Sequence, residues 1–424
     1  MHLCLFEDRP ETLDPLSLTR PVFDLLCGIT SLAEKQRRLF VPSAFGLLVR
    51  PALEALCQQQ HPGGRINDLA WLQSAPVVLI NGRWLPSAEP FAVPTPPCLG
   101  VIDGEVAYAV LAPDDLSMLS LENIGTRLDA WQGELPCQPA GGTMINYSWD
   151  LVEHNAEQIA RDFAELGLSA KPTADSAATL VGPAHRLWID SSAHVEPLVL
   201  ADTKRGPVII DREAVVHAFT RLEGPCYIGP TTEVYGAKIR AGTTLGPQCR
   251  VGGEVEASII HGHSNKYHDG FLGHSYVGEW VNLAAGTHNS DLRNDYGEIT
   301  VTIGGASVST GLSKVGCFIG DHTKTGLGTL LNTGASIGAF CNLLPAGRYA
   351  PRYIPSFTSW WNGRLIEAFA PEQLLATAEV VMKRRGVELS EAHRALYASL
   401  YQETAHERRR VLRESEQHML RRSA

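Results

Sequence analysis

Between Leu222 and Leu343 branched or small apolar residues recur every six positions. They fall at Leu222, Ile228 and Val234, then, after a slip of one residue, at Ile239, Leu245, Val251 and Ala257. The beat returns at Phe271, Val277 and Leu283, and again at Ile319, Thr325, Leu331, Ile337 and Leu343. This period matches neither a helix nor an alternating strand. It matches a flat strand and a tight turn, repeated three times per coil of a parallel β-helix, with the apolar residue pointing inward. Glycine follows many of the beats, at Gly229, Gly246, Gly252, Gly278, Gly316, Gly320, Gly326 and Gly338. The expectation is that these glycines hold corners of positive φ. The pattern starts raggedly after Leu180 and stops in a Pro- and aromatic-rich strap, Pro345–Trp361.

The chain before the repeats reads differently. His2–Phe6 and Ala75–Ile80 are apolar runs suited to buried strands, and Leu32–Phe40 and Asp150–Leu166 carry helical patterns. This is the alternation of an α/β unit, placed at 1–167. A small, polar stretch at 168–178 reads as a linker, and the β-helix is placed at 180–350. The segment 362–424 is helical. Pro371 and Glu372 suit a first turn, Leu374, Leu375, Ala378, Val381 and Met382 make one apolar face, and Gly386 ends it. Ser390 caps a second helix carrying Leu396, Leu400 and Val411. Its basic end, Arg408–Arg410, Arg413, Arg421 and Arg422, reads as solvated.

Composition narrows the function classes. At 424 residues two or three domains are expected. A net charge of −10 gives nonspecific nucleic-acid binding no support. Nine cysteines are scattered without a CxxC pair, and several fall on inward β-helix positions. They read as reduced, packed thiols rather than zinc ligands or disulfides. The start, MHLCLFEDRP, lacks the features of a signal peptide, and no apolar run approaches a membrane span. The expectation is a cytoplasmic protein with no membrane partner.

The segment His261–Gly297 interrupts the beat and holds five of the fifteen histidines. Three readings compete. Metal binding would use His261-Gly-His263, but no convergent ligand set is evident, and no metal residue is assigned. A structural role as hydrogen-bonding groups suits most of the polar residues. The third reading makes one histidine a general base.

Within this segment His268-Asp-Gly-Phe-Leu-Gly, Val277-Gly-Glu-Trp-Val-Asn282 and Leu283-Ala-Ala-Gly-Thr287 stand at fixed spacing. They resemble the acetyltransferase half of bifunctional glucosamine-1-phosphate acetyltransferase/uridylyltransferases. The resemblance implies a left-handed parallel β-helix, homotrimers, and N-acetylation of an amino-sugar phosphate by acetyl-CoA. His268 resembles the base that takes a proton from the sugar amine, and Asn282 resembles a residue near the acetyl donor or amine. Phe271 stands where that family has tyrosine, and Asp291 where it has asparagine. Asn265, Lys266, Tyr267, Asn289, Arg293 and Asn294 are candidates to substitute. Of these Asn265, Lys266 and Arg293, with Asn282 and Asp291, are assigned to substrate.

Glu7-Asp8-Arg9, Pro15–Pro21 and Asn81-Gly82-Arg83 follow apolar strands, where open α/β sheets bind phosphates. With Trp149-Asp150-Leu151-Val152 they resemble a divergent sugar nucleotidyltransferase group. That resemblance implies transfer from UTP or another NTP to a sugar-1-phosphate, with Mg²⁺ as cofactor. Arg9, Arg20 and Lys35 are the available cations, and Asn81 completes the phosphate-site assignment. The competing view is a non-catalytic β-helix scaffold or a sugar-nucleotide-binding regulator.

Overall fold

The computed structural model describes residues 1–40, 45–88, 95, 97–170, 177–345 and 347–423, with backbone alone at 170 and 418–423. Most of the expected linker, and the side chains of Arg421 and Arg422, therefore lie outside the described residues. No described helix is long and apolar enough to cross a membrane.

The N-terminal part is an α/β unit around a seven-stranded sheet. His2–Phe6 lies between Phe45–Leu48 and Val77–Asn81, parallel to both. Glu105–Leu111 is the antiparallel strand, between Val77–Asn81 and Cys98–Ile102. The central strand is buried on both faces because its residues alternate between two cores. Leu3 and Leu5 point to one, Cys4 and Phe6 to the other. Helix Leu32–Arg38 starts at Ser31, whose hydroxyl and backbone N–H exchange hydrogen bonds with Glu34.

The second part is the parallel β-helix. One face is recorded by a ladder in which Val208 pairs with Cys226, Cys226 with Thr243, Thr244 with Ile259, and Ile259 with Tyr276. Its core is a column including Leu222, Ile228, Val234, Ile239, Leu245 and Val251, closed by Ile337, Leu343 and Ile354. Cys226, Cys249, Cys317 and Cys341 fill inward positions, and burial pushes the last three thiols up to about 12.

Four expectations need correction. The beat places Ala257 and Phe271 inward, but Val255 and Leu272 occupy the core and Ala257 is a corner at φ 43°. The histidine-rich segment is not an interruption either. Residues 259–289 continue the coil, because strands this short need only one inward residue each: Leu272, Val277 and Leu283. The excursion comes later. Tyr276 pairs directly with Phe318, and the chain between Asn289 and Cys317 loops out through the hairpin Thr300–Ile303/Ala306–Ser309. Ile299, Val301 and Val315 of that loop pack against Leu13, Leu16 and Val22 of the N-terminal part.

The third correction concerns the C-terminal region. The strap carries the final coil, with Tyr353–Ile354 and Thr358–Trp361 still in register. The helical tail has three helices, Pro371–Lys383, Glu391–Glu403 and Ala405–Ser423, so Val411 belongs to the third. Leu374, Met382, Leu396 and Leu400 share a core with Leu53 and Leu56 of the α/β unit and with Trp280 and Phe340 of the β-helix. Arg408 is not solvated. It is 1% exposed, with its guanidinium over the rings of Tyr401 and Phe357.

The glycines are the fourth. None of the eight following the beats has positive φ; the corners carry residues such as Thr231, Gln248, His263, His274 and Phe340 in the left-handed region. The glycines are needed because the next coil passes too close. A Cβ on Gly246 would stand 1.9 Å from the His261 carbonyl oxygen, and one on Gly338 would stand 2.3 Å from the Ser356 nitrogen. Gly246→Ala should therefore force adjacent coils apart and destabilise by about 2–3 kcal/mol, as overpacking does. Gly125, helical with open space around it, should gain up to about 1 kcal/mol as alanine. Denaturant unfolding of the two variants checks both signs.

Candidate functional site

The coil holds the five histidines of the segment in different environments. His261 Nδ1 is 2.9 Å from the Tyr276 hydroxyl, and burial beside Arg20 drops its pKa well below the usual range. His263 stacks on Trp280 at 4.2 Å, with its pKa pushed down to about 4 by burial and by nearby Arg385 and Arg20. His274 Nδ1 is 2.7 Å from Asp291 Oδ2. His288 Nδ1 accepts the Phe271 N–H at 3.1 Å, so its other nitrogen carries the proton when neutral. His268 differs. It is exposed, and among the described residues its ring has no side-chain hydrogen bond or ion pair; only Tyr267 meets it, edge-on at 4.8 Å.

The turn carrying His268 is held from beneath. Lys266 is 2% exposed, and its ammonium donates to the carbonyls of Gly252 at 2.8 Å, Gly270 at 2.6 Å and His268 at 3.4 Å. Burial lowers its pKa to about 8. An ammonium occupied in this way is not placed to meet a substrate phosphate, so Lys266 is a positioning residue of the turn. Tyr267 continues outward into a ring ladder with Tyr235 and His217.

The other assigned residues divide. Asn265 and Asn282 sit on successive coils, with their side chains 3.4 Å apart, and line a cavity of about 360 Å³ beneath helix Pro371–Lys383. Asp291 is turned to His274. Burial raises its carboxyl, but the hydrogen bond and charge of His274 outweigh that and hold it low. Arg293 is half-buried, with its guanidinium on Asp295 at 2.5 and 2.8 Å. It borders a separate hollow with Asn294 and Arg352. Asn289 is internal, bridging the Gly273 N–H and carbonyl. His268, Asp291 and Arg293 are thus not gathered into one cluster within a single chain.

In the α/β unit, two of the three expected phosphate cations are occupied elsewhere. Arg20 is buried against the β-helix, 2.6 Å from Asp321 and 3.0 Å from Glu279. Lys35 is buried 2.5 Å from Asp162. Both act as interior ion pairs. Arg9 remains at the sheet's carboxyl edge, paired with Glu105 and near Asp8. Asn81 is buried and donates to Asp8 Oδ2 at 2.9 Å, while its Oδ1 accepts the Arg83 N–H. The residues that complete this edge were not assigned from the sequence. Arg83 is buried, bridging Asp8 at 2.5 Å, Glu105 at 2.6 Å and the Asn146 side chain at 2.6 Å. Arg83 was within reach in the Asn-Gly-Arg motif; nothing local marks Glu105.

The Arg20 site joins the two halves. Thr19 adds a hydroxyl donor to Asp321 at 2.7 Å. Burial pushes the Asp321 carboxyl up while the Arg20 charge pulls it down. Arg20→Ala leaves burial unopposed and should cost about 3–5 kcal/mol at neutral pH. A carboxyl raised in the folded state favours folding at low pH and loses that contribution as pH rises through its folded value. The penalty of Arg20→Ala should therefore shrink as pH falls into the ordinary carboxylate range. Unfolding of variant and wild type at pH 7 and pH 4 checks the sign.

Comparison with known proteins adds a family context. Residues 3–170 match the family model described as sugar nucleotidyl transferase. A bifunctional sugar-1-phosphate nucleotidylyltransferase/acetyltransferase of Sulfurisphaera tokodaii is 36% identical over 149 residues, covering 33% of this chain and 36% of that protein. The bifunctional protein GlmU of Azorhizobium caulinodans is 35% identical, covering 26% of this chain and 25% of that protein. The GlmU of Methanococcus vannielii is 33% identical, covering 27% and 26%. The matched stretches thus span 25–36% of these relatives' lengths. A solved Francisella novicida UDP-N-acetylglucosamine acyltransferase covers 49% of this chain and 74% of that one, at 11% identity and a TM-score of 0.15. The β-helix assignment rests on strand register, not on that likeness. The chain has a sugar-nucleotidyltransferase-like N-terminal part and is similar to the bifunctional sugar-1-phosphate nucleotidyltransferase/acetyltransferases.

Proposed function

We propose that the β-helix transfers acetyl from acetyl-CoA to the amine of an amino-sugar phosphate, with His268 as base. The observation that carries this reading is the position of His268: exposed on a rigid turn, while the other four histidines of the segment are engaged. In the reaction, the amine nitrogen attacks the thioester carbonyl carbon and His268 takes the amine proton. The C–S bond then breaks, and the departing thiolate receives that proton, giving amide and free thiol. An amine is nucleophilic only when deprotonated, so a base and correct placement supply most of what is needed. Lys266 contributes by fixing the turn, and Tyr267 offers a flat wall beside the ring. No cysteine is required as nucleophile.

A homotrimer fits this reading, because a neighbouring copy would enclose His268, which one chain leaves exposed. Leu198 and Phe219, successive corner residues 65% and 77% exposed, offer apolar surface for such a contact. In solution the protein would be cytoplasmic, where acetyl-CoA and sugar phosphates occur.

For the N-terminal part the proposal is nucleotidyl transfer at the edge formed by Asp8, Arg9, Arg83 and Glu105. A sugar-1-phosphate oxygen would attack the α-phosphorus of UTP or another NTP and release pyrophosphate. The carboxylates fit Mg²⁺ delivered with a nucleotide: Asp8 and Glu105 use their Oδ2 and Oε2 atoms in ion pairs, leaving each a second oxygen. The ion would offset phosphate charge there. Arg9 would meet phosphate, with Arg83 holding the carboxylates and Asn81 orienting Asp8. The occupied Arg20 and Lys35 favour the second reading for this half, a sugar-nucleotide-binding regulator.

His268→Ala should lower thiol release from acetyl-CoA with glucosamine-1-phosphate by about 10²–10⁴-fold while leaving the melting temperature unchanged, as expected of an exposed base. Wild-type protein that releases no thiol with any hexosamine phosphate would defeat the acetyl-transfer reading. For the other half, Mg²⁺-dependent pyrophosphate release should fall about a hundredfold in Arg9→Ala. Sugar-nucleotide binding without pyrophosphate release would instead establish the regulator.

A further inference from the structure

The cavity bordered by Asn265 and Asn282 has a property that proton transfer at His268 does not use. Four cations converge on it from distant parts of the chain. Arg250 and Lys324 project from coils of the β-helix, and Arg384 and Arg385 end helix Pro371–Lys383. The ion pairs of the four include one carboxylate among the described residues, Glu233, 3.3 Å from Arg250. Arg385 donates to the neutral Asn265 Oδ1 at 2.5 Å. Lys324 donates to the His322 carbonyl at 3.0 Å, and its pKa is lowered to about 8 by burial. Cations gathered in a recess repel one another, and a protein tolerates that where an anion completes the site.

One further observation points to a missing acceptor. Arg250 Nε, on a residue that lines this cavity, is buried without a hydrogen-bond partner. Buried donors are seldom left unpaired. Trp280, stacked on His263, adds a flat wall to an otherwise polar lining.

We infer that this cavity binds a diphosphate ester, held by Arg250, Lys324, Arg384 and Arg385 with its organic part toward Trp280. A diphosphate supplies several acceptor oxygens and more than one negative charge, which suits two or more guanidinium forks with an ammonium between them. A volume of about 360 Å³ accepts the diphosphate and part of one attached group but not a macromolecule. The ester could be the diphosphate of the acyl donor or that of a sugar nucleotide. The inference does not require His268 to be a base.

The test is calorimetric titration of the full chain with inorganic pyrophosphate, coenzyme A and a uridine diphosphate sugar. Pyrophosphate should bind at one site per chain, more weakly as salt rises. Arg384→Gln, an exposed helix-end change that should not disturb folding, and Lys324→Met should each weaken binding about tenfold or more. Arg65→Gln, on the far α/β unit, and His268→Ala should leave it unchanged. One ester should bind more tightly than pyrophosphate: coenzyme A would identify the acyl donor as the source, and the uridine diphosphate sugar would identify a nucleotide-sugar site. Absence of pyrophosphate binding, equal affinity in Arg384→Gln and Lys324→Met, or no tightening by either ester would overturn the inference. Loss of thiol release in His268→Ala with binding retained separates this site from the acetyl-transfer chemistry.

Discussion

Everything in the second half of the chain depends on how closely successive coils stack. Parallel strands of two or three residues have little side-chain area of their own, so their stability comes from backbone ladders and a continuous inward column. Close stacking is what forbids a Cβ at Gly229, Gly246, Gly316 and Gly338. It also brings the carbonyls of Gly252, Gly270 and His268 around one point, where Lys266 meets them. A buried ammonium with carbonyl partners is stable only if those carbonyls cannot drift. The turn that presents His268 is therefore fixed by the stacking itself.

The same stacking makes the β-helix a rigid wall on which the rest is mounted. Helix Ser148–Glu165 is held to it through Asn155, which donates to the Gly242 carbonyl and accepts from the Gly28 N–H. Asp162, further along that helix, gathers Lys35 and Arg38 of the α/β unit. Arg20 reaches the opposite side of the joint at Asp321. These are interior polar contacts, and their value lies in geometry more than in net energy, since burying ions offsets much of their attraction. They fix register between the α/β unit and the coils. The loop between Asn289 and Cys317 adds the apolar part of that joint.

Legibility in the sequence follows from this division. The column of inward residues was readable because each inward position must be apolar and the spacing is regular. The spacing marks the glycines but not their cause, since it does not distinguish a corner of positive φ from a close approach by a neighbouring coil. The histidine-rich stretch looked like a break because its polar residues outnumber the single inward residue that each short strand requires. Arg20 and Lys35 looked like phosphate ligands because their partners lie far away in sequence, at Asp321 and Asp162. A cation's role is set by what it meets in three dimensions. Local pattern carries almost no information about that, whereas Asn81-Gly82-Arg83 is informative because Asn81 and Arg83 both serve the edge where their strand ends.

The charge distribution ties these points together. The chain carries a net charge of −10, yet its cations are not spread evenly. Arg20, Lys35 and Arg83 are buried against carboxylates and contribute little field outside. Arg240 is divided among Glu223, Glu254 and Glu256 on the coil exterior. Beneath helix Pro371–Lys383 the pattern reverses, with four cations of which, among the described residues, Arg250 alone is ion-paired, to Glu233. The negative periphery raises no general affinity for polyanions, while a recessed positive pocket with low-dielectric walls focuses field on small ones. A preference of the inferred site for compact phosphorylated ligands would then follow from where the positive charge is left uncompensated, not from how much of it there is.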